Sequence, residues 1–121
     1  MSYRIEKIFN RQRNIFEWNI YLTRGDYFAA RVDMTNKNTG ESISPTNGSL
    51  RFAVKKKYRD GDEKLLILKQ IPLSTRLLEL EGDDTKKLSF GDYDYDIEYT
   101  DDQGHPDTFI EGKLYLTKEV Y

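Results

Sequence analysis

The chain has 121 residues, with 19 lysines and arginines against 21 aspartates and glutamates and a formal net charge of −2. This length suits one domain with one core, and the mixed, nearly balanced charge excludes a general attraction to nucleic acid or to an anionic membrane. Cysteine is absent, which excludes disulfides and thiol chemistry, and we expect neither a transmembrane span nor a signal peptide because no long apolar run is present.

The first 15 residues predict an N-terminal arm or an extra strand. Tyr3 and Ile5, with Ile8 and Phe9 after them, are the apolar residues available to one side of a short strand, and a polar, basic turn follows at residues 10–14. A frayed terminus is the alternative, since terminal residues are poorly ordered unless something holds them. An arm of this composition also suits packing on a neighbouring chain. Residues 16–121 are interpreted as a single domain.

Period-two alternation of apolar and polar residues predicts the next strands. It runs through residues 16–22 and again through residues 28–34, with Arg24-Gly25-Asp26 as a tight turn between them. A polar loop at residues 42–48, rich in turn formers, then leads to a third alternating segment at residues 50–54. We expect that loop to cross from one sheet to the other.

Turn signals divide the middle of the chain. The pair Asp60-Gly61 predicts a hairpin after the third alternating segment. The continuous apolar run at residues 65–68 predicts a strand covered on both faces, with a short helical piece as the alternative. Residues 76–81 predict another strand, and residues 82–87 predict a turn or a single helical turn.

The segment from Ser89 to Thr100 is the clearest strand in the sequence. One face carries Tyr93, Tyr95, Ile97 and Tyr99, and the other carries Asp94, Asp96, Glu98 and Thr100. Gly91 precedes it where the chain must turn sharply, and Leu88 and Phe90 are placed to fill the corner. This arrangement resembles the tyrosine corner that leads into strand F of immunoglobulin-like sandwiches, with Tyr95 at the position of the second cysteine.

A final hairpin turn at residues 101–106 leads into a long C-terminal strand, with Ile110, Gly112, Leu114 and Leu116 on one face. About seven to eight strands, separated by turn signals at the spacing typical of sandwiches, are therefore predicted. The fold class that follows is all-β, an immunoglobulin-like antiparallel β-sandwich.

Catalytic chemistry has little basis in these residues. His105 lies in a proline-containing turn, which favours a solvated turn residue over a partner contact or adventitious metal binding. The acids Asp94, Asp96 and Glu98 form a row on the polar side of one strand, which favours a solvated face over an acid/base pair. We predict no catalytic residues and a protein that is not an enzyme.

The sequence motifs that could bind a metal, nucleic acid or a sugar are short and incomplete. The aspartate pairs at 60–62, 83–84 and 101–102 lack the spacing of a calcium loop, so no metal site and no cofactor are predicted. The basic run at residues 55–59 is interpreted as a hairpin end rather than a nucleic-acid groove. A sugar-stacking platform stays open through the less buried tyrosines, which are Tyr21, Tyr27, Tyr99 and Tyr115.

The ordered motifs resemble a known family over about residues 21–120. They are similar to the N-terminal immunoglobulin-like domain of phage baseplate upper proteins and related prophage tail or fibre components. The matching positions are Arg24, Gly25, Asp26, Asp84, Thr85, Leu88, Gly91, Tyr93, Tyr95, Asp96, Ile97 and Gly112. The resemblance implies an assembly module that docks to neighbouring virion proteins, with no catalytic residues to carry over.

We therefore expect a structural or interaction protein of a phage or prophage tail, made in the bacterial cytoplasm and located in the virion. Its expected partners are other tail proteins or itself in a homo-oligomer, without nucleic acid or membrane. The alternative is a carbohydrate-binding or adhesive module at a bacterial surface, and a small hydrolase ranks last. Corner and turn positions are Gly25, Asp26, Leu88, Gly91, Tyr93, Tyr95 and Gly112, and candidate partner contacts are Tyr3, Ile5, Arg24, Tyr99 and Tyr115.

Overall fold

A computed structural model describes residues 3–36 and 38–118 of the chain. Within these ranges eight strands form, with one α-helix, α1 (Gly82–Lys86), and a short 3-10 helix at Asp62–Lys64. The strands are β1 (Tyr3–Asn10), β2 (Ile15–Thr23), β3 (Phe28–Arg31), β4 (Ser49–Lys55), β5 (Ile67–Ile71), β6 (Leu77–Leu80), β7 (Gly91–Thr100) and β8 (Pro106–Thr117).

The strands form two sheets that pack as a sandwich. The larger sheet has the order β1-β2-β8-β7-β4-β5, and the smaller one pairs β3 with β6. Strands β8, β7, β4 and β5 are consecutive neighbours in the larger sheet, whereas β3 and β6 lie in the other sheet. The all-β sandwich predicted from the strand and turn spacing is confirmed.

One pairing departs from the predicted antiparallel arrangement. β2 and β8 run parallel, with Phe16 beside Ile110 and Leu22 beside Leu116, whereas the other strand pairs are antiparallel. The prediction is wrong at this pair because no hairpin joins β2 to β8. The chain leaves β2 for the smaller sheet, and parallel neighbours require such a long crossover connection.

The parallel ladder is interrupted where Trp18 meets Gly112. A Cβ added to Gly112 would overlap the Trp18 carbonyl oxygen, so a residue without a side chain is required here. The Tyr95 hydroxyl donates a hydrogen bond of 2.7 Å to the same oxygen, and the Asn19 Oδ1 accepts one of 3.1 Å from the Lys113 backbone N–H. Side chains thus satisfy backbone groups that the ladder leaves unpaired.

The core lies between the two sheets and is filled by the apolar faces of the alternating segments. Phe52 and Tyr95 meet at its centre with a ring separation of 5.0 Å. Side chains with at most 1 % exposure include Ile20, Leu22, Phe28, Val32, Leu50, Phe52, Val54, Leu80, Tyr95, Ile97, Ile110 and Leu114. Burial of these large apolar groups is the main favourable term in folding.

The apolar run at residues 65–68 is not covered on both faces, so that prediction is wrong. Its last two residues begin β5, which is the edge strand beside β4. Ile67 and Ile71 point into the core, whereas Leu68 is 52 % exposed on the other face. The outer face of the larger sheet lacks a covering layer at this edge, so period-two alternation applies there too.

The close contact between Gly112 and the Trp18 backbone predicts the effect of a side chain at position 112 on stability. Gly112→Ala is expected to lower the free energy of unfolding by about 3 kcal/mol or more, because the new methyl group must displace the Trp18 backbone. The matched control is Gly40→Ala, where φ is +76° and the space is open, so only the backbone strain of about 1 kcal/mol is expected. Urea unfolding followed by Trp18 fluorescence measures both variants, and equal losses would contradict the close approach.

Candidate functional site

The turn Arg24-Gly25-Asp26 is fastened to α1. The Gly25 backbone N–H donates a 2.8 Å hydrogen bond to Oγ1 of Thr85, whose side chain is fully buried. Gly25 has a φ of +89°, a conformation that favours glycine. The Asp26 N–H closes the turn on the Thr23 carbonyl oxygen over 3.1 Å. This tripeptide therefore holds the β2–β3 turn against α1 at one end of the sandwich.

Arg24, a candidate partner contact, is held by its own chain. Its guanidinium donates a 3.0 Å hydrogen bond to the Leu88 carbonyl oxygen and lies 4.4 Å from the centre of the Phe90 ring. Phe90 was predicted to fill the corner, but it is 48 % exposed. That prediction is wrong because Leu88 and Tyr93, both buried, already occupy the corner.

The start of β7 has the hydrogen bond of a tyrosine corner. The Tyr93 hydroxyl donates to the Ser89 carbonyl oxygen over 2.7 Å. Gly91 lies between them with a φ of +133°, which lets the chain bend sharply into the strand. Tyr95 is buried beyond the corner and reaches Trp18. The corner residues therefore join the entry of β7 to the core.

Tyr3 and Ile5 anchor β1 to the sandwich. The Tyr3 hydroxyl donates a 3.0 Å hydrogen bond to the Ala29 carbonyl oxygen, and its ring packs edge-on against Phe28 with centroids 4.8 Å apart. Ile5 packs against the core. At the far end of β1, the side chains of Ile8 and Phe9 are 48 % and 38 % exposed. β1 forms the outer edge of the larger sheet.

The remaining candidate contacts, Tyr99 and Tyr115, also have partners within the chain. The Tyr99 hydroxyl donates to the Asn47 carbonyl oxygen over 2.6 Å. Tyr115 stacks on Tyr21 at 4.6 Å and 10° between the ring planes. The Arg4 guanidinium lies 4.0 Å from the Tyr21 ring centre, on the side of β1. Both faces of the Tyr21 ring are therefore occupied.

The acidic row of Asp94, Asp96 and Glu98 is only partly exposed. Arg51 on β4 bridges two of its members, with Nη1 3.5 Å from Asp96 Oδ1 and Nη2 3.2 Å from Glu98 Oε1. Lys113 on β8 lies 2.9 Å from Asp94. The interpretation as a solvated face is therefore wrong, because two cations from neighbouring strands, Arg51 and Lys113, pair with the three carboxylates.

Tyr58 covers this face, a feature that the sequence did not reveal. The connection between β4 and β5 folds back so that the Tyr58 backbone N–H donates a 3.0 Å hydrogen bond to Asp94. The Tyr58 hydroxyl donates to the Tyr95 carbonyl oxygen. Desolvation of this hydroxyl, together with nearby Asp96 and Asp94, raises the pKa of Tyr58, although the residue as a whole is 42 % exposed. An isolated aromatic residue in a basic run carries no local signal of such a long-range contact.

Asp96 and Glu111 lie directly opposite each other on β7 and β8. Burial raises the pKa of the Asp96 carboxyl; nearby Arg51 opposes that effect and Glu98 adds to it. The Asp96 Oδ1 makes no hydrogen bond within the described part of the chain. Glu111 is buried and pairs with Arg13 from the β1–β2 turn. Asp96 thus shares Arg51 with Glu98, whereas Glu111 pairs with Arg13, and these contacts fasten a strand and a turn to the sheet.

His105 is remote from this network. Its backbone N–H and ring both contact Asp101 in the last turn, over 2.9 and 3.2 Å. Among residues 3–36 and 38–118, no group of three or more histidines and acids is arranged to hold a metal ion. No helix in these ranges is long and apolar enough to cross a membrane.

Comparison with known proteins assigns no family. No protein-family model matches the chain, and no significant match is found among curated proteins or solved structures. A function therefore has to be inferred from the residues of this chain.

The Gly25–Thr85 contact generates a second prediction. Thr85→Val is expected to destabilise the protein by about 1–3 kcal/mol, since the Gly25 N–H loses its acceptor in a buried corner. Thr85→Ser keeps the hydroxyl and is the matched control, with a smaller loss. Thermal unfolding of the two variants separates the effects, and a valine variant as stable as the serine variant would contradict the role of the hydrogen bond.

The buried carboxyl of Asp96 generates a prediction about pH. In the unfolded chain Asp96 titrates near its ordinary pKa of 3.8, and in the folded protein its pKa is raised. Between these two pKa values the folded state binds more protons than the unfolded state does. The free energy of unfolding therefore falls as pH rises through this range. Asp96→Asn removes this loss, and the variant is expected to gain stability relative to the parent as pH rises from about 4 towards 7.

Asp62→Asn is the control of opposite sign for the Asp96 experiment. A hydrogen bond from Lys55 lowers the pKa of Asp62 in the folded protein. The ionised Asp62 carboxylate therefore stabilises the fold at pH values above its ordinary pKa, and this stabilisation is lost as pH falls through the pKa that Asp62 has in the folded protein. This variant is expected to lose stability relative to the parent as pH rises. Urea unfolding at a series of pH values measures both differences, and parallel slopes for the two variants would contradict the assignment.

Proposed function

We propose that the protein is a non-catalytic interaction module of a phage or prophage tail or baseplate, which docks on neighbouring proteins through the edge of β1. The observation that carries this proposal is the open edge itself. All eight residues of β1 pair in regular register with β2, and the opposite side of β1 has no neighbouring strand in the described structure. Backbone groups along such an edge are ready to pair with another chain.

The two edges of the larger sheet differ in a way that favours β1. β5 is five residues long, and Pro72 follows it directly, which are common features of edges that resist pairing. β1 is longer and has no proline or bulge. Its exposed apolar residues, Ile8 and Phe9, add surface that a partner can bury.

The tail assignment is supported by the resemblance in the corner motifs. Residues that carry the resemblance lie together, since Arg24 reaches the Leu88 carbonyl oxygen and Gly25 reaches Thr85. These contacts join the two motifs at one end of the sandwich, whereas Asp96 and Gly112 lie farther along β7 and β8. Assembly with virion proteins is what the resemblance implies for such a domain.

The carbohydrate-binding alternative has less support. A sugar-binding platform needs several exposed ring faces together. Of the four candidate tyrosines, Tyr27 is 50 % exposed, Tyr99 is hydrogen-bonded to Asn47, and the Tyr21 ring lies between Tyr115 and Arg4. The hydrolase alternative requires two acids that act together. The candidate acids Asp94, Asp96 and Glu98 are instead paired with Lys113 and Arg51.

The proposal predicts that the protein is a component of tail particles. A tagged protein, produced in the source bacterium during phage or prophage induction, is expected to co-sediment with tails on a density gradient. Changing Ile8 and Phe9 to lysine is expected to remove it from the particle fraction, because both side chains are exposed beside the open edge.

The matched control is Leu68→Lys, which changes an exposed leucine on the opposite edge strand and is expected to leave co-sedimentation unchanged. A parent protein that stays in the low-mass fractions contradicts the tail proposal. If such a protein also binds in a glycan screen, the carbohydrate alternative is favoured instead.

A further inference from the structure

We infer that β1 pairs antiparallel with β1 of a second copy, about a two-fold axis that passes beside Ile5, and so joins the two larger sheets into one. The inference rests on the proposed assembly function and names a partner for the edge. Its starting point is that β1 is fixed before it pairs. Tyr3 is hydrogen-bonded to Ala29 and Ile5 packs on the core, so little order has to be gained on association.

Symmetry restricts the registers that two copies of β1 can adopt. A two-fold axis that relates adjacent antiparallel strands is perpendicular to the sheet, so residues directly opposite each other lie on the same face. Because faces alternate along a strand, even-numbered residues must oppose even-numbered ones. Registers that pair at least five of the eight residues of β1 therefore have the axis at residue 5, 6, 7 or 8.

The charges of β1 distinguish these registers. An axis at Glu6 or at Lys7 sets that residue against its own copy, and like charges directly opposite are unfavourable. An axis at Ile8 forms no pair of opposite charges and sets Ile5 against Arg11 in the hairpin turn. An axis at Ile5 sets Arg4 against Glu6 of the second copy, and the symmetry repeats this ion pair.

The side chains are positioned for this register. Arg4 and Glu6 are both exposed, on the outer face of the sheet. Arg4 is held over the Tyr21 ring at 4.0 Å, and Glu6 accepts a 3.3 Å hydrogen bond from the Asn19 side chain. At the axis, Ile5 meets Ile5 of the second copy and extends the apolar inner face across the junction.

Reversing the charge of Arg4 or Glu6 tests this register, with dimerisation measured by sedimentation equilibrium. The parent protein is expected to dimerise, and Arg4→Glu or Glu6→Arg alone is expected to weaken dimerisation by about tenfold or more, because two attractive pairs become repulsive. An equimolar mixture of the two single variants restores opposite charges in a mixed dimer. The double variant Arg4→Glu with Glu6→Arg restores them within a homodimer, so loss through misfolding is distinguished from loss of pairing.

Arg11→Glu in the exposed hairpin turn is the matched charge control and is expected to dimerise like the parent. The chain has no cysteine, so Ile5→Cys is expected to form a disulfide-linked dimer on mild oxidation, and Glu6→Cys is not. A monomeric parent, single variants that dimerise normally, or a mixture that fails to recover would overturn the inference. Co-sedimentation with tails tests the proposed function separately, and a monomer that still enters the particles overturns the self-pairing alone.

Discussion

The carbonyl oxygen of Trp18 is the point on which the arrangement of the larger sheet depends. Tyr95 on β7 donates to it, and Gly112 on β8 lets the backbone of β2 approach. Three strands are thereby joined where the parallel ladder is interrupted. Because β1 is attached to the sheet through β2, this contact also determines how the open edge is presented. A side chain at position 112 would move β2, and with it the surface proposed to bind a partner.

The outer face of the larger sheet is used by the chain's own loops. Arg13 brings the β1–β2 turn onto Glu111, and Tyr58 brings the β4–β5 connection onto Asp94 and Tyr95. Partly buried charges of this kind are stabilised when each has a hydrogen-bonded or ionic partner and are costly when one is removed. Because the network occupies much of this face and the core occupies the other side, we propose the edge of β1 as the docking surface.

Local patterns predicted the strands because burial of one sheet face enforces a period of two, as in the alternation from Phe16 to Leu22 and from Tyr93 to Tyr99. Pairing is a long-range property, so the same patterns gave no information on the parallel contact between β2 and β8. They also predicted two covered faces for residues 65–68, since an apolar run looks alike in a central and an edge strand. Tyr58 was missed for the related reason that its partners lie more than 30 residues away.

Dimerisation of the isolated chain through β1 is expected to be reversible, and to be detectable at the protein concentrations used in sedimentation equilibrium. Exposed ion pairs such as the one between Arg4 and Glu6 contribute about 0.2–1 kcal/mol each, so they select a register more than they supply affinity. Most of the affinity must come from backbone hydrogen bonds and from apolar contact around Ile5. In an assembly, neighbouring subunits hold the chains at a high effective concentration, and a reversible but register-specific edge then suffices for ordered association. A stronger edge would expose the free protein to uncontrolled pairing.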